Sequence, residues 1–79
     1  MLNVNQLTAL SEANAVNSVL ISGTSGGFII IINDKEIKAK RGHKRIFKKL
    51  QTAAFFLNNK GIGKFTVDLS DWKPEGATQ

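Results

Sequence analysis

The chain has no cysteine and no tyrosine, a single histidine, a single proline and a single tryptophan among its 79 residues. Without cysteine there is no thiol nucleophile, no Cys-ligated zinc and no secreted disulfide scaffold. His43 has no second histidine to join it, so no metal site is expected. The apolar run Phe28–Ile32 has five residues, far short of the roughly 20 that a membrane-spanning helix needs. The start Met1-Leu2-Asn3-Val4-Asn5-Gln6 lacks the basic and apolar stretches of a signal peptide, so a cytoplasmic location is expected. Carboxylates are few, and five of the six, Asp34, Glu36, Asp68, Asp71 and Glu75, fall in turns, an outward strand position and the tail. No pair of them has acid–base spacing on one element, and no nucleophile stands beside a base. An enzyme is therefore not expected, and neither a cofactor nor a small-molecule substrate is indicated. Gly23-Thr24-Ser25-Gly26-Gly27 lacks the Gly-Lys-Ser/Thr ending of a phosphate loop and reads as a turn.

What the chain does have is positive charge in one place. Eleven Lys and Arg oppose six Asp and Glu, a net charge of +5. Between Lys35 and Lys49, eight cations face one carboxylate, Glu36, so this segment carries +7 and the remainder −2. A concentrated basic segment on a nearly neutral body points to a polyanionic partner. The alternative is a merely solvated lysine face, but such faces usually interleave Glu at four-residue spacing, and that is missing here.

Periodicity divides the chain into one small domain, 1–79, with a core over about 4–72 and a tail, 73–79, expected to fray. Val4, Leu7, Leu10 and Ala13 mark a helix over 3–16. Val19-Leu20-Ile21 is a short strand, the glycine-rich turn follows, and Phe28–Ile32 is a strand apolar on both faces. Asn33–Glu36 closes a hairpin, and Ile37–Lys40 alternates as a half-buried strand. From His43 to Lys60 the pattern becomes helical. At about 100° per residue, Phe47, Leu50, Ala53, Ala54 and Leu57 fall on the side of Ile46, which makes that side the core face. Gly61 is placed to stop the helix, and Lys64–Leu69 forms a last strand with Phe65, Val67 and Leu69 on one side. The expectation is an α+β domain of order α-β-β-β-α-β: a small antiparallel sheet of three to four strands with one long helix packed across it. The second face of Phe28–Ile32 needs cover, either from the N-terminal helix or from a second subunit in a homodimer.

This reading makes Lys38 to Lys49 a basic strand-to-helix junction. Lys38 and Lys40 project from the sheet, Arg41-Gly42-His43 form the connection, and Lys44, Arg45, Lys48 and Lys49 occupy the first helical turns. Cations at a helix N-terminus oppose the dipole, at about 0.3–1 kcal/mol each when exposed. A sequence that accepts them there is read as building an anion site. Lys38, Lys40, Arg41, His43, Lys44, Arg45, Lys48 and Lys49 are the expected nucleic-acid contacts. Phe55 lies about 180° from Ile46, opposite the core face, and Phe56 at its flank. Phe55 is either covered by the N-terminal helix, placed at a dimer seam, or an apolar contact to a base or partner. Trp72 is a candidate for stacking on a base or for pinning the last strand to the core.

The run from Lys40 to Pro74 resembles small proteins encoded on plasmids and integrative conjugative elements, some of them partition-associated and described as ParC-like. The resemblance rests on Arg41-Gly42-His43, Phe47-x-x-Leu50-x-Thr52-Ala53-Ala54-x-Phe56-Leu57, Gly61-Ile62 and Phe65-x-Val67-Asp68-Leu69. It implies mobile-element or plasmid-maintenance biology. Two further likenesses are architectural. A three-stranded sheet followed by a helix resembles the arm-binding domains of tyrosine recombinases, which read DNA with the sheet. The order α-β-β-β-α resembles a double-stranded-RNA-binding domain, whose basic spacing Lys44-Arg45-x-x-Lys48 matches. Phe47 stands where that domain has a small residue, however, and a further strand follows the helix. The expected function is therefore non-enzymatic nucleic-acid binding, DNA in preference to RNA. The alternative is a protein-interaction or homodimerising module that uses the basic helix face and Phe55.

Overall fold

The computed structural model describes residues 1–72; the tail 73–79 lies outside the described residues. The six elements follow the expected succession along the chain: α1 (Val4–Glu12), β1 (Val19–Thr24), β2 (Gly27–Ile32), β3 (Lys35–Glu36), α2 (Leu50–Asn59) and β4 (Thr66–Asp68). Asn3 opens α1 through a capping box. Its side chain accepts from the Gln6 amide at 2.7 Å, while the Gln6 side chain accepts from the Asn3 amide at 2.9 Å. Each such cap is worth about 1 kcal/mol. The helix ends at Glu12 rather than 16, where Asn14 turns to a φ of 55°.

The sheet has the order β3-β2-β1-β4. β1 and β2 are antiparallel, with Ile21 opposite Ile30, and the Asn33-Asp34 turn joins β2 to β3. Both turn residues have positive φ, 50° and 66°, as a type I′ turn requires. Asn33 also binds the chain before β1. Its Nδ2 donates to the Ala15 carbonyl and its Oδ1 accepts from the Asn17 amide, at 2.9 and 2.7 Å. β4 runs parallel to β1, with Val67 beside Ile21. The sheet is thus mixed, not antiparallel. β2 is paired on both sides, so the free edge belongs to β1, and α2 returns the chain to the end from which β1 starts.

The expected long helix over 43–60 is also corrected. α2 holds ten residues, Leu50–Asn59, and the chain before it is extended from Lys44 to Phe47 and bends at Lys48-Lys49 into the helix. Phe47 pairs with Phe28, each amide donating to the other's carbonyl at 2.7 Å. This continues the β2 edge beyond Ile37, whose amide donates to the Ile30 carbonyl. The charge pattern explains the outcome. As a helix, this segment would set Lys44 against Lys48 and Arg45 against Lys49 at four-residue spacing, each pair destabilising by about 0.2–0.5 kcal/mol, with the dipole penalty added. Extended, it satisfies β2 and buries Phe47 instead. Ile46, expected in the core, is accordingly 49% exposed.

Residues of one alternation, Ile21, Phe28, Ile30 and Ile32, form a single core with Leu7 of α1, Ala53 and Leu57 of α2, and with Leu2, Ile37, Phe47 and Ile62. Burying each of the fully enclosed Ile and Leu side chains contributes about 1.5–3 kcal/mol. Both helices therefore lie on the same face of the sheet. α1 does not cover the opposite alternation, Leu20, Ile29 and Ile31, and it does not cover Phe55, which is 66% exposed.

Candidate nucleic-acid interface

Between Ile37 and Arg45 the chain leaves the sheet edge and returns. The Arg45 amide donates to the Ile37 carbonyl at 2.8 Å, closing the base of a hairpin that spans Lys38 to Lys44. Higher up, the Ala39 amide donates to the His43 carbonyl at 2.7 Å and the Gly42 amide to the Ala39 carbonyl at 3.0 Å. A three-residue loop of this kind needs a residue at positive φ in its last position, and Gly42 has a φ of 95°. The Lys38 amide donates to the Leu2 carbonyl at 2.8 Å, which ties the outer strand of the hairpin to the chain preceding α1. His43 donates from Nδ1 to the Lys44 carbonyl at 2.9 Å.

The basic cluster is thus carried on a β-ribbon, and the strand-to-helix junction is replaced by it. Lys38 and Lys44 are bridge partners across the ribbon. Like charges directly opposite each other on paired strands are destabilising, and no carboxylate stands between these two in sequence. Lys40, Arg41 and His43 are exposed at the tip.

Arg45 points to the helical side. Its guanidinium lies over the Phe47 ring at 4.8 Å and over the Phe56 ring at 4.9 Å from the centroids. The two rings are 5.4 Å apart, so the cation rests on a rigid aromatic step. The Lys60 ammonium lies 5.7 Å from the Phe56 ring on its other side. A hydrogen bond of 2.8 Å from the Ser11 hydroxyl to the Lys60 carbonyl joins α1 to the end of α2, fixing the backbone there. Lys38, Lys40, Arg45 and Lys60 line one open cleft of about 640 Å³ together with Phe56 and the first turn of α1. Among the described residues no carboxylate lines it. The capping box uses the Asn3 and Gln6 amides, so those of Val4 and Asn5 have no partner within the helix and lie at the cleft's edge.

A profile described as ParC-like matches residues 2–76, nearly the whole length. The chain belongs to the ParC-like family. The comparison with curated proteins and the comparison with solved structures each give no match. The family's description names no ligand.

Six of the eight expected contact residues of this ParC-like chain, Lys38 to Arg45, are brought together by the hairpin and the cleft. Lys48 and Lys49 are not. They lie at the start of α2 and line a separate pocket of about 320 Å³ with Phe28, Leu50, Leu69 and Trp72. Trp72 packs against the Phe28 ring at 5.6 Å and over Gly23, on the core face. Phe55 lies among Gln51, Thr52, Ala54 and Asn58 of its own helix and does not line the basic cleft. Phe56 is half-buried against the core, as its place on the wheel suggests. Lys60 and the first turn of α1 were not singled out by sequence. The spacing Phe56 to Lys60, four residues on one helix, was the available signal for the former.

Proposed function

We propose that this chain is a small non-enzymatic nucleic-acid-binding protein, acting on DNA in preference to RNA, of the plasmid-maintenance or mobile-element kind. The observation that carries this reading is the Lys38–Lys44 pair across a ribbon that opens onto a cleft lined, among the described residues, by four cations and no carboxylate. Such an arrangement is self-repelling until an anion is supplied, and a run of phosphates supplies several at a spacing a ribbon can follow. The cleft would hold backbone phosphates through Arg45 and Lys60, whose heads are positioned by Phe56. The hairpin tip, Lys40 to His43, would reach along or into a groove. A two-stranded ribbon fits the major groove of B-form DNA, about 12 Å wide, whereas the deep and narrow major groove of A-form RNA excludes it. Anisotropy titrations of labelled single- and double-stranded DNA and RNA at two salt concentrations test this. Tightest binding is expected for duplex DNA, and it should collapse in Lys40→Glu/Arg41→Glu. Equal binding by wild type and that variant would overturn the reading.

One observation supports a second reading, a protein-interaction adaptor: the exposure of Phe55 on a helix face apart from the cleft. Under that reading Phe55→Ala abolishes capture of a protein partner and leaves nucleic-acid binding intact.

A further inference from the structure

From the free edge of the sheet, we infer that two copies of the chain pair through β4, antiparallel and two-fold about Thr66, into one continuous sheet. The hydrogen-bond alternation shows which groups of β4 are available. The Asn33 amide donates to the Ser18 carbonyl in step with the β1–β2 register, so Ser18, Leu20 and Ser22 direct their backbone groups at β2. Val19, Ile21 and Gly23 therefore face β4. In the parallel ladder Ile21 then serves Thr66 and Asp68. That leaves the amides and carbonyls of Phe65 and Val67 directed outward, and among the described residues no strand pairs with that side. At the opposite edge, Leu2 bridges to Ile37 beyond β3. An unpaired strand edge is a template for another strand. The helices also leave the core face of β4 partly uncovered: Val67, on the alternation of Ile21, is 37% exposed and Leu69 43%.

The run Lys64-Phe65-Thr66-Val67-Asp68 identifies the occupant as a second copy. Pairing about Thr66 exchanges backbone hydrogen bonds between Phe65 and the partner's Val67, the residues whose groups face outward. It sets Lys64 opposite the partner's Asp68, on both sides of the axis, and Thr66 opposite the partner's Thr66. These are the pairs without hydrogen bonds, in which Cα atoms stand about 4.5 Å apart and side chains approach most closely. Thr66 and Asp68, paired with Leu20 and Ser22, lie on the alternation opposite the core, and Lys64 lines a groove with Leu20 and Thr66 on that face. Asp34 lines the same groove from the β2–β3 turn, two strand spacings in from β4, or about 10 Å. The partner's Asp68 stands at half that distance. Moving the register by one pleat puts Lys64 opposite the partner's Ser70 or Thr66 and breaks both charge pairs. Charge and hydrogen bonding therefore select one register, and it is its own mate under two-fold rotation. With so few residues in contact, the dimer is weak and concentration-dependent.

Sedimentation equilibrium of the full chain without nucleic acid, from about 1 μM to about 1 mM, tests this independently of the DNA reading. A reversible monomer–dimer equilibrium with a Kd of ~100 μM is expected. In hydrogen exchange, the Phe65 and Val67 amides should slow as concentration rises, more than those of Thr66 and Asp68, which β1 already holds. Lys64→Asp and Asp68→Lys should each raise the Kd at least ~10-fold, because each sets like charges opposite one another. Mixed in equal amounts, these two variants should associate again as a heterodimer, since every facing charge then meets its opposite. Val67→Pro should abolish the dimer at unchanged circular dichroism, because the amide it removes is not one that β1 uses. A monomer at every concentration, a dimer indifferent to Val67→Pro, or charge variants that stay apart when mixed would each overturn the proposal. So would loss of the dimer in Phe55→Asp, which would put the seam on α2.

Discussion

Replacing Lys40 and Arg41 by alanine perturbs the proposed DNA contacts where the fold is least involved. Both side chains are exposed at the hairpin tip, and the turn itself is held by backbone hydrogen bonds and by Gly42. Six cations lie on the hairpin and cleft: Lys38, Lys40, Arg41, Lys44, Arg45 and Lys60. If about five of them neutralise one phosphate each, log K falls against log[salt] with a slope of about −4.5 on duplex DNA. Removing two leaves about three, a slope near −2.7. Between 50 and 200 mM salt the wild type then loses about 2.7 decades of affinity and the variant about 1.6. Anisotropy titrations on one duplex at four salt concentrations read both slopes, and circular dichroism confirms the fold. Replacing Lys48 and Lys49 instead, which lie away from the cleft, should leave the slope near −4.5. An unchanged slope in the tip variant, or an equal drop in the Lys48/Lys49 variant, would show that the ribbon is not the surface that meets phosphate.

Three further outcomes follow from the packing and the titration chemistry. Gly23→Ala places a Cβ 2.5 Å from the Trp72 Cβ. The sole tryptophan should undock, which tryptophan emission reports as a red shift at unchanged far-ultraviolet dichroism. Leu57→Ala, which empties a fully buried position, should lower unfolding free energy by about 2–5 kcal/mol in urea. The Asp68 carboxyl, hydrogen-bonded by the Ser70 side chain and by its amide, titrates below its ordinary value of 3.8. Its stabilising effect is thus present above that pH and lost as pH falls through the lowered value. In an NMR titration, Ser70→Ala should move the Asp68 midpoint back up toward the ordinary value.

Element succession was legible because each apolar period was unambiguous where packing is one-sided. Leu7 and Leu10 mark α1, Ala53 and Leu57 mark α2, and the doubly apolar Phe28–Ile32 marks a central strand. The misreading over 43–49 has a specific cause. Arg45, Phe47 and Lys49 alternate with Lys44, Ile46 and Lys48, so a period of two fits as well as 3.6 does, and only the unpaired edge of β2 decides between them. The penalty for stacking cations on a helix N-terminus is visible in the sequence, but it does not mark an anion site at a helix start. It marks a segment that declines to be a helix. The basic residues themselves were found, whereas their geometry and the contribution of Lys60 were not, because the cleft joins residues from both ends of the chain. The parallel placement of β4 was equally hidden, since it depends on which sheet edge is left open once β2 has two neighbours.

The hairpin leaves the sheet at Ile37 and rejoins it at Arg45, and the two ends already share a hydrogen bond of 2.8 Å. None of its seven residues is buried. The stretch Lys38–Lys44 therefore behaves as an exchangeable cassette: its length and side chains can change while the strand on either side keeps its register. Doubling the loop adds only ~0.6 kcal/mol of closure entropy. For protein engineering this is a graft point on a cysteine-free scaffold of fewer than eighty residues, and for divergence between relatives it is a place where ligand preference can drift without refolding the body that carries it.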